Sequence, residues 1–99
     1  MEIQVHSLGF NADKKLLEFI SKKIDKLSKY SDDIIRAEVT LRLQHSQTEE
    51  NKVAEIKLDI PRNELFAKKQ NKSFEEAIDE VIEALEHQIK KRKGKIRGI

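Results

Sequence analysis

Three histidines are the first residues to weigh as chemistry, because imidazole is a common general base near neutral pH and a frequent metal ligand. They stand far apart, at His6, His45 and His87. No His-x-x-x-His or His-x-x-Glu-His spacing occurs, so no helix face presents a metal-ligand pair. The absence of cysteine removes thiolate ligands, thiol nucleophiles and disulfides. The 3 glycines build no phosphate-cradling loop, and Ser7, Ser21, Ser28 and Ser31 lack the strand–turn–helix setting of an activated serine. Asp79, Glu83 and Glu86 share one side of a helical pattern and read as a solvated acidic face, not a catalytic carboxylate pair. The sequence therefore predicts no enzyme, no catalytic or metal-ligating residue, no cofactor and no small-molecule substrate.

The cations remain, and they are unevenly spaced. The 99 residues hold 20 Lys and Arg against 18 Asp and Glu, a formal net charge of +2. Residues 14–29 carry +4 and residues 87–99 carry +6, which leaves −8 on the rest. Two basic clusters on an acidic remainder give an oriented field. A stripe of Lys and Arg tracks phosphates and carries little sequence information. Aromatic residues are 5% of the chain and scattered, so backbone and shape recognition of structured RNA fits better than base stacking on an open sheet. Solvated helix faces are the competing explanation, since basic side chains near a helix C-terminus also suit the macrodipole.

The scaffold for these clusters is small. Charged residues are 38% of the chain, well above the ~25% of an average globular protein. With 37% hydrophobic residues and no Trp, the core must be aliphatic. A chain of this length builds one layer of helices on one sheet, with no cleft between domains. No window approaches the ~18 apolar residues of a membrane span. The opening MEIQVHSLGF has neither the basic start nor the apolar run of a secretory signal. Together with the missing cysteines, this predicts a cytoplasmic protein.

Residues 2–6 alternate and predict a strand with Ile3 and Val5 inward. Residues 12–30 predict a helix, capped by Asn11 or Asp13. Leu16, Leu17, Ile20, Ile24 and Leu27 form its apolar stripe, with Lys15, Lys22, Lys26 and Lys29 opposite and Lys23 on a shoulder. In residues 34–44, Ile35, Ala37, Val39, Leu41 and Leu43 share one side. In residues 53–60 the inward side is Ala54, Ile56, Leu58 and Ile60. Pro61-Arg62-Asn63 predicts a turn, and Leu65 and Ala67 a short fourth strand. Arg36, Glu38, Arg42, Glu55, Lys57 and Asp59 on the outward sides suggest cross-strand ion pairs. Ser73 and Glu76 form a capping box for a last helix with Phe74, Ile78, Val81, Ile82, Leu85 and Ile89 inward. That helix is acidic first and basic last, and nothing stops it before Gly94. Its last turn is expected to project beyond the sheet as a basic prong, giving a domain over residues 1–94 and a disordered tail over 95–99.

The fold class is therefore α+β, in the order β-α-β-β-β-α. Crossover handedness makes the first strand parallel to the second, and the later strands follow as hairpins in a four-stranded mixed sheet. Each strand has one apolar side, so both helices pack on one face. Parallel neighbouring helices would join the two basic clusters into one stripe.

Two segments carry a family resemblance. Glu18-Phe19-Ile20-Ser21-Lys22-Lys23-Ile24-Asp25-Lys26-Leu27-Ser28-Lys29-Tyr30 is similar to the first helix of the short ribosome hibernation promoting factors. The final helix is similar too, from Phe74-Glu75-Glu76-Ala77-Ile78-Asp79 through Leu85-Glu86-His87-Gln88-Ile89-Lys90-Lys91-Arg92-Lys93. The resemblance spans residues 1–95 and extends to the related ribosome-associated inhibitors (the sigma-54 modulation protein family). It implies a stress or stationary-phase factor that binds the small ribosomal subunit in the mRNA–tRNA channel and blocks translation by occupancy. Basic positions that carry over are Lys23 and Lys26, then Lys90, Lys91 and Lys93. Gln88 matches a family glutamine that either touches RNA or caps a surface. Ser73, Glu75, Ala84 and His87 stand where the family commonly has Asp, Tyr, Lys and Arg.

The candidate rRNA-binding residues are Lys22, Lys23, Lys26, Lys29, His87, Gln88, Lys90, Lys91 and Lys93, with no membrane partner and a monomeric free protein expected. Charge reversal at Lys23 and Lys91 is expected to abolish binding at nearly unchanged stability. The chain stops at Ile99, which implies no C-terminal dimerisation domain and no acidic tail. Two alternatives stay open, a general structured-RNA binder and a small protein-interaction domain.

Overall fold

The computed structural model describes residues 1–45, 47 and 49–97, with side chains described within that range as far as Arg92. Six elements follow in order: β1 (Glu2–Leu8), α1 (Lys14–Leu27), β2 (Arg36–Leu43), β3 (Lys52–Ile60), β4 (Asn63–Asn71) and α2 (Phe74–Arg97). The sheet order is β1-β2-β3-β4. β1 runs parallel to β2, while β2–β3 and β3–β4 are antiparallel. This is the α+β mixed sheet expected from the alternation.

Register explains the core. Val5, Val39, Ile56 and Ala67 are successive partners across the four strands, and Ile3, Ala37, Leu58 and Leu65 form the next row. Ala37, Val39, Leu41, Ala54, Ile56 and Leu58 are fully buried on this face. They meet Ile20, Ile24 and Leu27 of α1 and Ile78, Val81, Leu85 and Ile89 of α2. Near the start of both helices Phe10 stacks on Phe74, with ring centroids 4.8 Å apart.

Both helices start on a side-chain cap. The Asp13 carboxylate accepts the Leu16 N–H at 2.8 Å, and the Ser73 hydroxyl accepts the Glu76 N–H at 3.1 Å. α1 ends at Leu27, earlier than the sequence pattern suggests, because residues 28–30 fold back as a turn in which Tyr30 N–H reaches Leu27 O at 3.0 Å. α2 continues past Gly94 to Arg97, since a lone glycine weakens a helix without ending it.

Other differences sit at element ends. Ile35 and Leu43 are 59% and 49% exposed, and Ile34 is buried instead of Ile35, because the strand begins only at Arg36. Leu17 is exposed at the outer margin of the α1 stripe. β4 extends to Asn71, so its helix-facing row continues beyond Ala67 to Lys69. Val53 is fully buried although it alternates with Ala54 and faces away from the helices. Its partners are Arg42 and Gln70, and the Gln70 amide donates to Glu50 O in the β2–β3 loop. That bond ties Glu50 to one corner of the open face.

Candidate nucleic-acid interface

Three contacts fix how the helices lie together. The Lys23 ammonium is 2.9 Å from Asp79 Oδ1. Lys90 Nζ lies 5.0 Å from the Tyr30 ring centroid. Arg92 Nη1 lies 3.5 Å from Asp33 Oδ2. Partners rise in the same order along both segments, so α1 and α2 point the same way. The basic half of α1 and the basic end of α2 consequently meet at one end of the helical layer.

Lys22, Lys23, Asp25, Lys26 and Lys29 line one shallow concavity on the outer side of α1. Lys22, Lys26 and Lys29 are exposed and, among the described residues, make no ion pair. Lys23 is different: only a third of its side chain is exposed, and its ammonium also lies 5.3 Å from the Phe19 ring centroid. On α2, Lys90 is 3.9 Å from Glu86 one turn earlier. Lys91 is exposed and turned about 100° further round the helix from Lys90. The side chain of Lys93 lies outside the described residues.

His87 and Gln88 lie apart from that group. His87 is exposed and lines a separate groove with Lys69, Glu80, Glu83 and Ala84, between α2 and β4. The Gln88 amide donates to Phe66 O at 2.8 Å, so it is bonded to the edge strand. Lys69 was missed in the sequence because the pattern ended the fourth strand too early. Tyr30, Asp33 and Asp79 were also missed, and no spacing rule marks them. Asp79 and Glu86 read as a solvated acidic face, whereas each is paired with a lysine.

Asp33 is the junction of the α1–β2 turn. The Ser31 hydroxyl donates to its carboxylate, and Ser31 is itself buried. That bond, with the Arg92 guanidinium, holds the Asp33 carboxyl below the usual aspartate range against a smaller opposing effect of burial.

The open sheet face holds the cross-strand ion pairs that alternation suggested. Arg36 is 2.9 Å from Asp59 and Arg42 is 3.0 Å from Glu55. Lys57 lies between Glu38 at 3.5 Å and Glu64 at 3.9 Å. His6 is 3.7 Å from Glu38. Charges of both signs alternate over this face, with Phe66 as its exposed aromatic, which suits a solvated surface better than a polyanion track. Among the described residues, no group of three or more His, Asp or Glu side chains is placed to hold a metal ion, and no helix is long and apolar enough to cross a membrane.

Comparison with known proteins places the fold in a family. Residues 3–97 match the family described as Sigma 54 modulation protein / S30EA ribosomal protein. A ribosome hibernation promotion factor of Deinococcus radiodurans is 30% identical over 92% of this chain and 50% of its own length. One from Bacillus subtilis is 29% identical over 97% of this chain and 50% of its own length. The chain thus spans half the length of these two relatives. A ribosome hibernation promoting factor of Pseudomonas putida is 23% identical over the whole chain and 93% of its own length. Among solved structures, a ribosomal subunit interface protein from Coxiella burnetii superposes with a TM-score of 0.84 at 20% identity, covering 95% of this chain and 99% of its own. The N-terminal domain of Thermus thermophilus Protein Y gives 0.79 at 25% identity, covering 92% and 98%.

Proposed function

Because the chain belongs to the Sigma 54 modulation protein / S30EA ribosomal protein family, we propose that it is a ribosome hibernation factor acting in the cytoplasm. It binds the small subunit in the mRNA–tRNA channel and stops translation by occupying that space. The observation that carries this reading is the exposed lysine row Lys22, Lys26 and Lys29, set at the same end of the helical layer as Lys90 and Lys91. Such a row meets rRNA phosphates without reading bases. Lys23 extends it. The free protein is a monomer, and inactivation needs no reaction.

Sedimentation with ribosomes and separated subunits tests this. The protein is expected to co-migrate with small subunits and whole ribosomes. With about five to seven phosphate contacts, the log–log salt slope should be about −4 to −6. Reversing Lys26 and Lys29 to Glu should release the protein at unchanged stability. These positions serve better than Lys23, where a carboxylate would face Asp79 and strain the helix pair. Protein that stays at the top of the gradient at low salt rules the proposal out. Free duplex RNA competing as well as ribosomes would identify a general RNA binder.

A further inference from the structure

The geometry points to Asp79 as a specificity-determining residue, one that positions Lys23 and turns away polyanions lying across the two helices at the level of Lys23. This inference rests on the ribosome-binding reading and deepens it. Lys22, Lys26 and Lys29 are free to swing, so they accept phosphates in many arrangements. Lys23 is not. Its ammonium is bonded to Asp79 Oδ1 at 2.9 Å and stands over the Phe19 ring at 5.3 Å. An ammonium has three donors. With one directed at Asp79 and one side against the ring, Lys23 offers a phosphate a single direction of approach.

Asp79 is also half exposed, so its charge is felt by any ligand at the seam between α1 and α2. A phosphate chain along the α1 row reaches Lys23 from its open side and leaves the pair intact. A chain crossing from α1 onto α2 at the level of Lys23, instead of at the Lys90 end, places phosphate against the Asp79 carboxylate. Rejecting the second arrangement costs affinity for generic RNA and none for the cognate site, which is how repulsion creates specificity. Among the described residues, the other acid–base contacts of the helices lack this arrangement, Lys14 meeting Glu18 within α1 at 3.9 Å. Glu86 meets Lys90 within one helix at 3.9 Å, and Asp33 meets Arg92 beyond the lysine row at 3.5 Å.

Asp79→Asn tests it, since the amide keeps the shape and removes the charge. The full chain is titrated with a short random-sequence RNA duplex and with isolated small subunits across a range of salt. Glu83→Gln removes a charge from the same helix at a position with no ion pair among the described residues. We expect Asp79→Asn to bind the duplex about three- to fivefold more tightly, the span of a surface ion pair. Its salt slope on the duplex should steepen by about 0.7 to 0.9, one phosphate's worth. Affinity for small subunits should not rise, so selectivity falls. Glu83→Gln should leave selectivity unchanged. Equal gains on both ligands, an equal loss of selectivity in Glu83→Gln, or no gain on the duplex (neither protein binding it included) overturns the inference. Wild-type protein that ignores small subunits would instead sink the ribosome reading, while the duplex comparison still decides the role of Asp79.

Discussion

The Lys90 ammonium sits 5.0 Å from the centre of the Tyr30 ring, joining the last turns of α2 to the turn that follows α1. Arg92 reaches Asp33 further along the same connection to β2. These two contacts make the basic end of α2 and the lysine row of α1 parts of one surface. A helix end projecting alone would carry the same charge with no fixed spacing to α1.

Removing the ring should loosen that spacing. Tyr30→Ala is expected to lose about 0.5–1 kcal/mol from the cation–ring contact, with some packing besides. Small-subunit affinity should fall several-fold while Tyr30→Phe stays near wild type. Thermal unfolding and subunit titration of both variants check this. Unchanged affinity in Tyr30→Ala would mean that Lys90 need not be held.

Asp33 gives a pH dependence whose sign follows from its lowered pKa. Its carboxylate is favoured in the folded state by the Ser31 hydroxyl first and the Arg92 guanidinium second. That contribution is fully present above the unfolded value of about 4. It is lost as pH falls through the lowered folded value. Asp33→Asn should therefore be less stable than wild type at neutral pH, with the gap closing in strong acid. Since the group is over a third exposed, the gap is small. Melting curves of the two proteins from neutral to strongly acidic pH test the convergence.

The β3–β4 hairpin carries removable strain. Arg62 has φ 66°, in the left-handed region, directly after Pro61. That region costs a side-chain-bearing residue about 1–2 kcal/mol, while glycine pays less in steric clash and more in chain entropy. Arg62→Gly is expected to stabilise the domain by about 0.5–1 kcal/mol, read by chemical denaturation. A destabilised variant would show that the Arg62 side chain makes up for its own strain.

The sequence showed the parts of the fold that repeat and hid those that occur once. Alternation located Ala37, Val39, Leu41, Ala54, Ile56 and Leu58 because every second residue obeys the same burial rule. It failed at Ile35 and Leu43, where the strand ends and the rule has no neighbour to enforce it. Charge clustering located Lys22, Lys26 and Lys29. It was blind to Asp79 and Tyr30, whose importance lies in one partner each, 56 and 60 positions away in the chain. Periodicity describes a face; a single long-range contact leaves no period.

Gln88 separates a structural role from an RNA-binding one. Its amide donates to Phe66 O at 2.8 Å on β4, an edge strand of the sheet. A side chain there occupies a carbonyl that another strand would otherwise be able to use. If that is its whole role, Gln88→Ala loses about 0.5–1.5 kcal/mol of stability at most, because the exposed carbonyl can turn to water. Amide exchange along β4 should quicken, and small-subunit affinity should stay the same. Gln88→Glu should behave like Ala in exchange, since a carboxylate has no proton to donate to the carbonyl. A direct contact with rRNA predicts the reverse ranking: affinity falls in Gln88→Ala and falls further in Gln88→Glu, where the new charge meets phosphate. The bond to Phe66 favours the first outcome, because the amide protons that would serve a phosphate are partly committed to the strand.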